Sequence, residues 1–160
     1  GIVYIADVNI GDEETGFQFI LDRPSRGERL VSSVMLEPAM TITEPLENQE
    51  YAINDLISLT WSPAIEGQSS SLCFKTNCYQ DLPQDLRSCI PIVENGEYNV
   101  RMPEVINRLY TTYTLVEQSS CTAEISLRRR NGRNISSEYG AASSVLAIRE
   151  SARNINITLE

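Results

Sequence analysis

Short apolar runs recur along this chain, each closed by a turn signal, and that rhythm constrains the fold more than any other feature. Leu56 to Trp61 alternates, with Ile57, Leu59 and Trp61 on one side and polar residues on the other, the period of a half-buried strand. Trp61 is in phase with the aliphatic positions, so it is the expected core anchor, packed beside Ile125. Ile2 to Ile10 places Ile2, Tyr4, Ala6, Val8 and Ile10 on one face, and Phe17 to Leu21 follows the acidic turn Gly11 to Gly16. These two read as a hairpin-like pair. Asp22 to Gly27 breaks the chain, and Val34 to Leu36 with Met40 to Ile42 reads as one edge strand kinked at Pro38.

The series continues with Ser71 to Tyr79, Ile90 to Val93, Glu97 to Met102, Thr111 to Val116, Cys121 to Leu127, Ser144 to Arg149 and Asn154 to Leu159. Glu94-Asn95-Gly96 and Asn131-Gly132 punctuate it as turns. One stretch departs from the pattern. Met102, Val105, Ile106, Leu109 and Tyr110 fall at helical spacing around Pro103, a residue favoured at the first position of a helix. The expected fold is therefore an all-β, two-sheet antiparallel sandwich with one short helix. It is read as one domain over residues 1–160, with residues 1–43 as an N-terminal strand extension, an added hairpin laid on the main sandwich.

Composition narrows the function. The chain has 160 residues, 41% hydrophobic and 22% charged, enough apolar content for a real core. A formal net charge of −9 repels phosphate backbones and anionic membranes, so nucleic acid is not an expected partner. Histidine is absent, which removes the commonest general base, zinc ligand and partner of a Ser or Cys nucleophile. No apolar run reaches the ~20 residues of a membrane span. No segment near Gly1 reads as a signal peptide, so export would imply a signal already removed.

Cys73, Cys78, Cys89 and Cys121 show no metal-type spacing and no histidine completes a set. Two disulfides are the better reading, which suits an oxidising compartment. Spacing alone leaves all three connectivities open.

The runs Phe19-Ile20-Leu21-Asp22-Arg23-Pro24, Leu36-Glu37-Pro38-Ala39-Met40-Thr41-Ile42-Thr43-Glu44-Pro45 and Leu59-Thr60-Trp61-Ser62-Pro63 stand in a familiar order, as do Cys121 through Arg128, Arg130 and Gly132, the segment Ile135 to Gly140, and a last strand with Arg153. The chain resembles the uncharacterised exported immunoglobulin-like (Ig-like) proteins of marine and other proteobacteria. It departs from them in Leu36-Glu37-Pro38, in Met40 where an aromatic is usual, and in having four cysteines rather than one pair. The resemblance implies an Ig-like sandwich in an extracytoplasmic setting, periplasmic, anchored at the outer membrane or secreted, often with a lipid anchor upstream. It favours Cys78 with Cys121, leaving Cys73 with Cys89. It supplies no activity.

Arg128-Arg129-Arg130-Asn131-Gly132-Arg133 is the one concentration of positive charge in an acidic chain. With Cys121, Ala123, Ile125 and Leu127 facing inward, Arg128 and Arg130 project outward together, with Arg153 of the last strand close enough to share their partners. Such guanidinium groups can bind a carboxylate or sulfate bidentately, so Arg128, Arg130 and Arg153 are the candidate ligand-binding residues. The plainer reading pairs them with cross-strand carboxylates. Asp12, Glu13 and Glu14, like Asp81 and Asp85, lack calcium-loop spacing and read as solvated turns. The serines at 69–71 and 143–144 lack a nucleophile-elbow pattern. Tyr79, Tyr110 and Tyr113 are the aromatics available for stacking on a sugar ring, and Asn134 and Asn156 begin sequons that matter only in a glycosylating pathway. No cofactor or metal is expected. The expected function is a non-catalytic cell-envelope or secreted module contacting a protein or surface. A carbohydrate-binding module is the first alternative, and a hydrolase working through two carboxylates the second.

Overall fold

A computed structural model describes residues 16–80, 87–107, 114–134 and 144–159. In chain order the strands are β1 (Gly16–Arg23), β2 (Glu28–Met35), β3 (Thr41–Glu44), β4 (Gln49–Ala52), β5 (Ile57–Ser62), β6 (Ser69–Thr76), β7 (Arg87–Val93) and β8 (Glu97–Val100). Helix α1 (Met102–Asn107) follows, then the long strands β9 (Ser120–Asn134) and β10 (Ser144–Thr158).

The expected all-β sandwich with a short helix is what forms. A five-stranded sheet runs β4-β10-β9-β6-β7 and a three-stranded sheet runs β3-β5-β8. Pairing is antiparallel except between β4 and β10. The cause is the period-two pattern: in β5 the inward Ile57, Leu59 and Trp61 are buried while Ser58 and Ser62 are exposed. Those residues meet Leu72 and Phe74 of β6, Ile125 and Leu127 of β9, and Ile155 and Ile157 of β10 in one core cluster. Full burial of each such side chain contributes about 1.5 to 3 kcal/mol. Met102, Val105 and Ile106 of α1 join the same cluster; Leu109 and Tyr110 lie outside the described residues.

Several expectations are corrected. The partner of β1 is β2, across a turn in which the Gly27 N–H (φ 62°) donates to the Pro24 carbonyl, so of the expected break at 22–27 only 24–27 form a turn, and Asp22 and Arg23 stay in the ladder. The proposed pairing with Ile2 to Ile10 falls outside the described residues, as do Thr111 to Tyr113. The runs around Pro38 are two strands in two different sheets, β2 with β1 and β3 with β5, because Pro38 has no N–H to continue a ladder. Asn131-Gly132 is not a turn: Asn131 pairs with Ala147 and Gly132 with Leu146 inside the β9–β10 ladder.

The two C-terminal runs are one strand, β10. Its middle carries the polar residues Glu150, Ser151 and Arg153 for the sake of groups on other strands. Glu150 lies opposite Arg128, and Ser151 and Arg153 serve the open edge of β3. Ile42 N–H donates to Ser151 Oγ at 3.3 Å, and Arg153 Nη2 donates to the Ile42 carbonyl at 2.8 Å. The β1–β2 hairpin packs on the far end of the β9–β10 ribbon through Phe17, Val34, Leu36 and Ala147, while Asn131 Nδ2 donates to the Met35 carbonyl.

Candidate functional site

Strand β9 sets the chemistry of both sheet faces. Its odd residues from Cys121 to Arg129 are buried, so its even residues lie on the outer face. Arg128 and Arg130 do share that face. Arg128 Nε is 3.2 Å from Glu150 Oε2, and Arg87 of β7 reaches Glu150 at 2.7 Å and Glu124 at 2.9 Å. Against the cost of partial burial, the Ser126 hydroxyl and then the Arg128 and Arg87 guanidiniums hold the Glu150 carboxyl below its usual range. The plainer reading of Arg128 is thus what the geometry shows: a carboxylate of the chain itself is its partner. Arg130 is exposed, opposite Ile148.

Arg153 is corrected. It pairs with Ile125, an inward residue, and directly opposed residues share a face. It therefore lies on the face opposite to Arg128 and Arg130, where it caps β3 and shares none of their partners.

The strongest electrostatic feature was not anticipated. Arg129 and Glu94 are 0% and 1% exposed. Arg129 Nε donates to Glu94 Oε1 at 2.7 Å and Nη2 to Oε2 at 2.6 Å, while Nη1 and Nη2 also donate to the carbonyls of Pro38 and Pro63 at 2.9 and 2.6 Å. Glu94 further accepts from Trp61 Nε1 at 3.2 Å, from the Ile65 N–H at 3.1 Å and from the Ser70 hydroxyl. Burial pushes its pKa upward, but the Arg129, Ser70, Ile65 and Trp61 hydrogen bonds overcome that and hold it at about 2. This node joins β5, β6, β9 and the β7–β8 turn across both sheets, and each nitrogen of the guanidinium donates to a group of the chain itself. Period two carried on from Leu127 would have placed Arg129 inside; Glu94 had no signal beyond its turn.

Trp61 is 4% exposed, as expected of a core anchor, and Tyr79 is 3% exposed, which removes Tyr79 as a stacking platform. Tyr110, Tyr113, Asp81, Asp85 and residues 12–14 lie outside the described residues. Both disulfides form, Cys73–Cys89 directly across β6 and β7 and Cys78–Cys121 between the end of β6 and the start of β9. Among the described residues no group of three His, Cys, Asp or Glu side chains could hold a metal ion. No described helix is long and apolar enough to cross a membrane.

Below the Arg87–Glu150 ladder the outer face hollows into a half-open depression of about 360 Å³, its polar lining from Glu50, Asn77, Gln118, Thr122, Asn156 and Thr158 and its apolar lining from Cys121 and Ile157. Asn77 and Thr122 also line a second depression of about 260 Å³ with Lys75, Thr76, Glu124 and Asn154. Together they form a polar groove across β4, β10 and β9. It brings together residues as far apart as Glu50 and Thr158, and of its lining only Cys121 and Asn156 stood out in sequence, as a disulfide cysteine and the start of a sequon. No family model matches the chain, and no curated protein and no solved structure matches it.

Proposed function

We propose that this chain is a non-catalytic binding module of the extracytoplasmic space, with the outer face of its five-stranded sheet as the contact surface. One observation carries the reading. The buried charges at Arg129 and Glu94 are consumed by mutual hydrogen bonds, whereas the open groove beside Thr122 presents the neutral amides and hydroxyls of Asn77, Gln118, Thr122, Asn156 and Thr158. Two disulfides belong to an oxidising compartment, and the resemblance to exported Ig-like proteins supports an envelope or secreted setting with an anchor upstream.

The test pairs binding with turnover. Labelled protein should bind purified cell-envelope material saturably, and Thr122→Arg, which fills the groove, should remove that binding while the melting temperature is kept. The competing hydrolase reading requires two carboxylates, and Glu50 and Glu124 are those lining the groove. Turnover of chromogenic glycosides or esters that is lost in Glu50→Gln or Glu124→Gln would sink the non-catalytic assignment.

A further inference from the structure

The outer sheet face is divided. In its upper half Arg87, Glu124, Glu150 and Arg128 neutralise one another at 2.7 to 3.2 Å. In its lower half neutral amides and hydroxyls predominate, and their geometry is specific. Asn156 is directly opposite Glu50 on one side and Thr122 on the other, so the three side chains form a row about 4.8 Å apart on one face. Asn77 completes the row from the end of β6.

Two of these side chains are locked at one end. Asn77 Oδ1 accepts from the Thr122 N–H at 2.8 Å and from its hydroxyl at 3.3 Å, which leaves Nδ2 as a donor of fixed position. Asn156 Nδ2 donates to the Asn48 carbonyl at 3.1 Å, which leaves Oδ1 as an acceptor. The backbone beneath is fixed as well. Cys78 and Cys121, each adjacent in sequence to one of the pair Asn77 and Thr122, are disulfide-bonded, and the Asn77 N–H and the Thr76 hydroxyl both donate to the Thr122 carbonyl. A rigid row of separate donors and acceptors loses little conformational freedom on binding.

The ligand chemistry follows. Glu50 stands in the first depression and, in the second, Lys75 lies opposite an Arg87-bound Glu124, so in a chain of net charge −9 the groove carries no surplus of positive charge for an anionic ligand. The lining contains no aromatic ring, and its apolar residues are Cys121 and Ile157, whose side chains belong to the core, so it offers a hydrophobic ligand no apolar pocket of its own. A ligand that offers many hydroxyls, each both donor and acceptor, meets both polarities. We infer that the groove binds a neutral polyhydroxylated chain, a saccharide, lying across β10 and β9 from Glu50 toward Lys75. Without ring stacking its affinity is weak, of the order of millimolar per site, and grows with a chain long enough to fill both depressions. The inference rests on the reading of this face as the contact surface.

The test is a titration of the full oxidised chain, followed by nitrogen-15 NMR, with neutral hexasaccharides of glucose, xylose, mannose and N-acetylglucosamine. At least one should shift the side-chain amides of Asn77, Gln118 and Asn156 saturably. Thr122→Arg should weaken that binding about tenfold or more. Thr158→Arg, a second groove-filling change, should do the same and covers the case in which the first variant fails to fold. Ile148→Arg, on the same face outside the groove, should leave binding unchanged. Saturable binding that survives both groove variants overturns the site. Absence of binding to every sugar overturns the ligand class alone if envelope binding persists and is lost in Thr122→Arg. If envelope binding is absent too, the module reading itself falls.

Discussion

Replacing Arg129 by Met tests whether the buried ion pair holds the two sheets together. The substitution keeps an unbranched side chain in the space but removes both donors to Glu94 and the donors to the carbonyls of Pro38 and Pro63. Glu94 would remain charged at 1% exposure, with only Trp61, Ile65 and Ser70 as donors. Removing one partner of a buried pair costs about 3 to 5 kcal/mol. A second route gives a similar figure. Glu94 held at about 2 instead of 4.5 corresponds to roughly 3 kcal/mol at 1.36 kcal/mol per pKa unit. Because the folded pKa lies below the unfolded one, this stability is complete above the unfolded value and drains as pH falls toward 2. Urea unfolding at pH 7 should show the full loss in Arg129→Met. A series from about pH 5 down to 2 should show wild type losing stability over that window and Glu94→Gln showing a flatter slope. The double variant Arg129→Met with Glu94→Leu should recover much of the loss, since apolar replacements of buried pairs are often neutral. A cost below about 1 kcal/mol for Arg129→Met, or an unchanged acid slope in Glu94→Gln, would refute the reasoning.

Trp61→Ala should cost about 3 to 5 kcal/mol by urea titration, since it removes a buried ring together with a donor to Glu94. Replacing Cys78 and Cys121 by Ala should destabilise more than replacing Cys73 and Cys89. The loops closed span 43 and 16 residues, and loop-closure entropy makes the difference about 1 kcal/mol, measurable as a shift in urea midpoint. Arg128→Gln should cost less than about 1 kcal/mol, its ion pair being part of a partly exposed network. Arg153→Ala should cost about 1 to 2 kcal/mol through the lost charge-assisted bond to the Ile42 carbonyl and should raise self-association in light scattering by opening the β3 edge.

The sandwich was legible because its core obeys period two over short spans: Ile57, Leu59 and Trp61, or Cys121, Ala123, Ile125 and Leu127, announce their own burial. Reading failed where polar residues interrupt a strand for reasons located on another strand. The polar centre of β10 looks like a gap until Arg128 is seen opposite Glu150 and Ile42 is seen bonded to Ser151 and Arg153. Asn131-Gly132 carries strong turn chemistry, yet ladder pairing to Ala147 and Leu146 overrides it. Of the candidate site only the outward direction of Arg128 and Arg130 was visible. The groove depends on β4 lying parallel beside β10, a long-range pairing that no local pattern encodes.

If the groove is the contact surface proposed above, the two faces of β9 divide stability from recognition. Its inward residues, through Leu127 and Arg129, meet the core and the Glu94 node, so substitutions there should be felt by the whole fold. Of its outward residues, Arg128 and Glu124 belong to the charge ladder, Glu124 also edging the groove, while Thr122 lies in the groove. Cys121 links these roles, because its disulfide to Cys78 cross-links the same two segments whose neighbouring residues, Asn77 and Thr122, form the locked donor and its anchor. Cys73–Cys89 joins β6 and β7 where they are already paired, under the charge ladder. An oxidising compartment therefore supplies more than stability to this chain: the bond that closes the longer loop also holds the groove in shape. Reduction of Cys78–Cys121 should accordingly weaken saccharide binding before the sandwich unfolds, whereas loss of Cys73–Cys89 should leave the groove as it is.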